Sequence, residues 1–251
     1  MNEYGNINIF GEGFINGGKY NNIKIFGQSI ANENIECNSL VVMGESSFKE
    51  NLKVYSFKII GEANINGRLN CERLKVMGAC KLIGDAEISS LKIMGEVEAL
   101  KDLKVNVNLK VMGEGNFEKN LTFNELEVQG ELKVNEDCEG NRFYNSGEVR
   151  INGLLSADKI EIVPKKISKI EEIGGSEIII KKTKWYEFTN GKVISKLIEG
   201  DNIILENTIC NIVRGHDINI LSGCSIDKIE YTGKLTIDKN SKVGEQICLK
   251  N

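Results

Sequence analysis

A chain of 251 residues carrying 32 Lys and Arg against 36 Asp and Glu has a formal net charge of -4. No basic face follows from that balance, which argues against nucleic acid as a partner. There is no apolar run of about 18 residues, and the start MNEYGNINIF lacks the charged-then-apolar form of a secretory signal, so the expected location is the cytoplasm. With 41% apolar residues the chain can bury a continuous core, and 26 Gly against one Pro suit many tight corners.

Short units ending in glycine recur from the N-terminus: INIFG at Gly11, IKIFG at Gly27, LVVMG at Gly44, FKIIG at Gly61, LKVMG at Gly78, LKIMG at Gly95, LKVMG at Gly113 and LEVQG at Gly130. Subtracting successive glycine positions gives 16, 17, 17, 17, 17, 18 and 17. A fixed period this short, built from apolar alternations, is a solenoid signature. Each period carries three apolar-x-apolar pairs, at +2/+4 and +8/+10 after one glycine and at four and two before the next. Alternation of two with many β-branched residues marks strands with one buried face. Three strands per turn around one interior predict an all-β, roughly triangular parallel β-helix over residues 1–164. The glycine sits at a corner, where the backbone needs either a positive φ or a close approach. The spacing of 18 places an extra residue at Asn106-Val107-Asn108, in a corner or turn.

Gly147 keeps the register although NRFYNS before it is degenerate, and Pro164 takes the corner after one further coil. Residues 165–200 read as an interrupting segment, with KKTKWYEFTNGK as an excursion around Trp185. A second, short coil block is expected over 201–251, because Ile203, Ile220 and Ile237 return to spacings of 17.

Outward columns could carry function. An acidic one (Glu12, Glu45, Glu62, Glu96, Glu114, Glu131, Glu148) follows the glycines, and a basic one (Lys24, Lys58, Lys75, Lys92, Lys110) lies three before them. The two are four residues apart around the corner, so they read as a mutually neutralising surface rather than a cation site. The column just before the glycine is Phe10, Phe26, Met43, Ile60, Met77, Met94 and Met112. Either the chain bends early and these line the corner inside, or they form an exposed docking stripe that a segment such as the one around Trp185 could cover.

Chemistry is poorly represented. His216 is the single histidine, the seven cysteines are scattered without metal-ligand spacing, and no phosphate-binding loop pattern occurs. Cys37 and Cys71 fall in one column two coils apart, roughly 9–10 Å, too far for a disulfide. All seven are expected as free thiols. No cofactor, metal or catalytic residue is assigned. Pairs such as Glu171-Glu172 are too common among the acids to signal glycoside chemistry.

The units LKVMG, LKIMG and FKIIG in coils of 17, with the tail GDNIILENTICNIVRGHDINILSGCSIDKIEY, resemble the bactofilins, polymer-forming cytoskeletal proteins of bacteria. The resemblance implies a right-handed β-helix and a non-enzymatic scaffold that assembles with itself in the cytoplasm without nucleotide. It also leaves room for peripheral membrane or cell-envelope partners. The alternative is a carbohydrate-binding or carbohydrate-active β-helix. Self-association is expected through the nearly uncharged first coil, with Ile7, Ile9 and Ile15 inward and Phe10 beside them. Met77, Met94, Met112 and Trp185 are the further candidate interaction residues.

Overall fold

The computed structural model describes residues 4–182 and 190–249, and every regular element among them is a β-strand in parallel pairing. The chain forms a β-solenoid and divides into two compact units, Met1–Asn124 and Glu125–Asn251.

In the first unit a coil is an eight-residue strand, a glycine corner and a four-residue strand. Leu52–Ile59 with Glu62–Ile65 is followed by Leu69–Val76 with Ala79–Leu82. Leu52 pairs with Leu69, Ile59 with Val76 and Glu62 with Ala79, all 17 residues apart. Pairing lapses at Tyr55 and Glu72, so the long strand bends and each coil presents three flat faces. Six side chains per coil turn inward, as the alternation predicts: Ser46, Phe48, Leu52, Val54, Phe57 and Ile59 are all buried. Phe48 and Phe57 meet edge to face at 6.1 Å. Burying each large apolar side chain stabilises by about 1.5–3 kcal/mol, so stacking coils supplies the core that no single coil could. The extra residue between Gly95 and Gly113 is where the spacing put it. Register slips between Ile88, which pairs with Val105, and Ser90, which pairs with Asn108, and leaves Val107 exposed.

The corner glycines are explained by approach, not by φ. Among described glycines only Gly18 and Gly223 have positive φ. A Cβ on Gly78 would run into the carbonyl oxygen of Gly61 and lie 2.8 Å from the carbonyl carbon of Ile60. The preceding coil's backbone fills the space a side chain needs. A Cβ on Gly11, in the first coil, would meet nothing within 4 Å. A second corner is tied by Asn and Asp side chains seven residues after the glycine. Asn34 accepts from Asn51 N–H (3.1 Å), Asn51 from Arg68 N–H (2.9 Å) and Asp102 from Asn120 N–H (3.2 Å). Each joins one coil to the next and satisfies a donor that the corner leaves without a strand partner.

The second unit keeps the stacking and, in its first coils, the period of 17, with Leu132 on Val149 and Cys138 on Leu155, and departs from the period after Ile162. Glu148–Ile162 pairs along three stretches with Ile167–Ile180, which pairs in turn with Lys192–Leu205 and that with Thr208–Ile220. The interruption expected over 165–200 is therefore much shorter. Residues 167–180 and 192–200 lie in the stack, and no boundary falls at 201, which sits inside a strand. Ile178 pairs with Ile203, 25 residues on, so the surplus lies between Ile180 and Lys192. Trp185 is in that connection, outside the described residues. Spacing misled further on as well. Ile203 stacks on Ile218, 15 away, rather than on Ile220, which pairs with Leu205 and Ile237. Pro164 is buried at the corner between Ile162 and Ile167.

The degenerate stretch before Gly147 is a regular corner with one exchange. Phe143 is buried in the usual place, and Asn145 takes the inward position that Val or Ile fills elsewhere. Both ends of its amide are bonded: Oδ1 accepts from Gly147 N–H (2.8 Å) and Nδ2 donates to Ser168 Oγ (3.2 Å). That is how a buried Asn is tolerated among hydrophobes.

Candidate functional site

The Phe10–Met112 column is an exposed stripe. Phe26, Met43, Ile60, Met77, Met94 and Met112 are each 38–41% exposed and Phe10 is 77% exposed. The chain turns after the inward residue two before the glycine, so the next side chain points out at the apex of the corner. Phe10 and Phe26 stack with ring centroids 4.9 Å apart. Seven large apolar side chains in successive coils, about 4.8 Å apart, make a stripe about 29 Å long within the first unit.

The charged columns flank this stripe and do not neutralise one another. Among the described residues, Lys24, Lys58, Lys75 and Lys92 make no ion pair, and neither do Glu12, Glu45, Glu62 and Glu96. Lys58, Lys75 and Lys92 are direct neighbours in adjacent coils, as are Glu45 and Glu62. Ion pairing on this unit occurs instead on the short strands, where Lys81 meets Glu98 (2.7 Å), and on the face of the long strand's first half. Glu36 sits between Lys19 (3.0 Å) and Lys53 (3.1 Å), whose hydrogen bonds hold its carboxyl below the usual range. Glu87 lies between Arg68 and Lys104 in the same way.

The first described coil is the other apolar surface. Among the described residues, strands Asn6–Ile9 and Glu12–Ile15 pair on one side only, with Asn22–Ile25 and Gln28–Ala31. Ile15 is buried, Ile9 nearly so at 9% exposure, and Ile7 half-buried. Tyr4 and Phe14 are exposed, Phe14 at 76%. Phe14 was legible in GEGFI as an aromatic at an outward alternation position, and with Ile30 it broadens the apolar surface beside Phe10 and Phe26. Ile7, Ile9, Phe10 and Ile15 are thus brought together, while Met77, Met94 and Met112 lie further along the stripe.

Among the described residues no three His, Cys, Asp or Glu side chains converge as metal ligands. His216 is exposed, its Nδ1 2.8 Å from Thr232 Oγ1 on the next coil. Cys37 and Cys71 do share a column, each stacked on Val54 between them. All seven cysteines are free thiols, and burial pushes those of Cys37, Cys71, Cys80 and Cys210 up to about 12, away from nucleophilic chemistry. No described helix is long and apolar enough to cross a membrane.

Comparison with known proteins gives two relatives. The chain is 39% identical over 99 residues to the uncharacterized protein YhbF of Bacillus subtilis (strain 168), covering 39% of this chain and 42% of that protein. It is 33% identical over 100 residues to the uncharacterized protein YhbE of the same strain, covering 38% and 42%. The chain thus matches less than half the length of these curated relatives. No family model matches, and no solved structure matches.

Proposed function

We propose that this chain is a non-enzymatic scaffold protein of the bactofilin type, which associates with itself through its first coil in the bacterial cytoplasm, where cell-envelope components are its further partners. The observation that carries this reading is the apolar end coil. Its strands keep one open edge among the described residues, and Tyr4, Phe10 and Phe14 lie exposed around the partly covered Ile7. A second copy meeting that edge about a two-fold axis would continue the ladder and bury those side chains. The solenoid, the glycine-ended units and the buried, unreactive thiols all fit a protein whose product is a surface rather than a reaction.

The test is Ile7→Lys combined with Phe14→Lys, both outside the closed core. Ile9 is too well buried for Lys to report association apart from folding. Wild type is expected to self-associate at tens of micromolar by light scattering, the range where interfaces of modest size hold, and the variant to run as a smaller species with its β-sheet spectrum retained. A wild type that stays monomeric at that concentration sinks the proposal.

A further inference from the structure

A row of three lysines at adjacent-coil spacing, without an ion-pair partner among the described residues, costs repulsion along the column. Within the first unit the acidic column, with Glu45 beside Glu62 and Glu96 beside Glu114, carries a like repulsion across the corner. Between them run the exposed apolar stripe and the half-buried glycines, which form a side-chain-free furrow beside it. The order across the surface is therefore Lys, large apolar, Gly, Glu.

That order discriminates between occupants. An anionic lipid surface would attract the lysines and meet the glutamates at the same depth, so it gains little. A second copy turned antiparallel would set Lys against Lys and Glu against Glu. A second copy placed parallel, about a two-fold axis along the solenoid, sets each Lys column against the partner's Glu column. It also sets each Met column over the partner's Gly furrow, where flexible thioethers can fill space that no side chain occupies. In register, Lys58 meets the level of Glu62, and Lys92 that of Glu96, on both sides of the axis.

We propose that the first unit pairs side by side with a second copy along the Phe10–Met112 stripe, parallel and in register. This contact is separate from the end-coil contact proposed above and does not depend on it. The two stripes with their flanks would bury roughly 1,000 Å², the lower end for a specific interface, so the pair should be reversible.

Two experiments on the full chain test it. Met43→Cys and Met94→Cys, each in a Cys248→Ser background, are treated with a bis-maleimide of short span. Parallel, in-register pairing links both variants like with like. An antiparallel pair can link at most one of them, and end-to-end pairing through the first coil links neither, because Met43 lies two coils and Met94 five coils from it, which sets two copies of Met43 about 20 Å or more apart. Linkage of one variant or none overturns the proposal. Separately, Lys58→Glu with Lys92→Glu, and Glu62→Lys with Glu96→Lys, should each weaken lateral pairing at least tenfold by sedimentation, and an equimolar mixture of the two should restore it. Unchanged sedimentation in either variant, or no recovery on mixing, also overturns it. The Ile7→Lys/Phe14→Lys variant should still cross-link through Met94→Cys, which separates failure of the end contact from failure of the stripe.

Discussion

The two units solve the same packing problem with different corners. In the first, the closest approach between coils recurs where the glycine follows an exposed Phe, Met or Ile, from Gly27 to Gly113. In the second, that corner persists at Gly147, and beyond it the ladder Gly175, Gly200 and Gly215 sits at another bend, three residues before an inward Ile: Gly175 before Ile178, Gly200 before Ile203, Gly215 before Ile218. A Cβ on Gly200 would strike the carbonyl oxygen of Gly175, just as one on Gly78 would strike that of Gly61. The lesson is that a coil needs a bare backbone wherever two corners touch, and that the place of the corner can change along the chain. The stripe of exposed apolar residues stops before that change, since Gly147 still closes on the Gly130 carbonyl. Its positions pass to Gln129 and Ser146, and at the second unit's own bend Arg214 pairs with Glu199 (3.0 Å) and Glu230 (2.8 Å).

The largest contrast to seek is in thiol reactivity. If the irregular second unit packs as closely as the first, Cys138 and Cys210 should resist alkylation at pH 8 as well as Cys37, Cys71 and Cys80. Burial raises these thiols, lowering the thiolate fraction on the order of a thousandfold for a value near 12. Cys248, exposed in the last coil, should label at once, and seven thiols should appear in denaturant without reductant. Mass spectrometry showing early label on Cys138 or Cys210 would break the equivalence of the two units.

Glycine substitutions sharpen it next. Gly78→Ala and Gly200→Ala should each cost about 2–4 kcal/mol, since the methyl must displace backbone of the adjoining coil. Gly11→Ala should change stability by less than about 0.5 kcal/mol, because nothing faces that Cβ. Chemical denaturation of the three decides it, and equal losses at Gly11 and Gly78 would remove the close-approach explanation.

A smaller effect is expected at the exchanged corner. Asn145→Ala leaves Gly147 N–H without its side-chain acceptor and Ser168 Oγ with the Val149 N–H but no amide, and should cost about 1–3 kcal/mol. Val128 holds the equivalent inward place one coil earlier, so Val128→Asn should be the more damaging swap, there being no Ser168 to receive its amide.

The smallest effect is electrostatic. Hydrogen bonds from Lys228 and Arg214 hold Glu230 below the usual carboxylate range, and Lys19 and Lys53 do the same for Glu36. A carboxyl depressed in the folded state adds stability that is complete above its unfolded value, about 4.3 for Glu, and is lost as pH falls toward the folded value. Melting temperature should therefore be flat from pH 8 to about 5.5 and decline below it. Glu230→Gln should flatten part of that decline, and an unchanged slope would remove Glu230 from its cause.

The alternation and the glycine spacing by themselves determined the solenoid, its six inward columns, the extra residue at 106–108 and the shared column of Cys37 and Cys71. Each is local or strictly periodic, and a period of two with a repeat of 17 leaves little else for the chain to do. The sequence also held the Asn and Asp corner ladder and the G-x-x-I-x-[IL] units at Gly175, Gly200 and Gly215, signals visible once the corner is known to move. Tertiary structure alone decided the rest. Which side of the apex Met77 takes depends on where the backbone turns, one residue later or earlier, and alternation is silent within a turn. Whether Gly78 needs its φ or its missing Cβ depends on the neighbouring coil. That Ile203 stacks on Ile218 and not Ile220 was decided by three-dimensional register, because β-ladders align the pairs that fill the core and let corners absorb any mismatch in count.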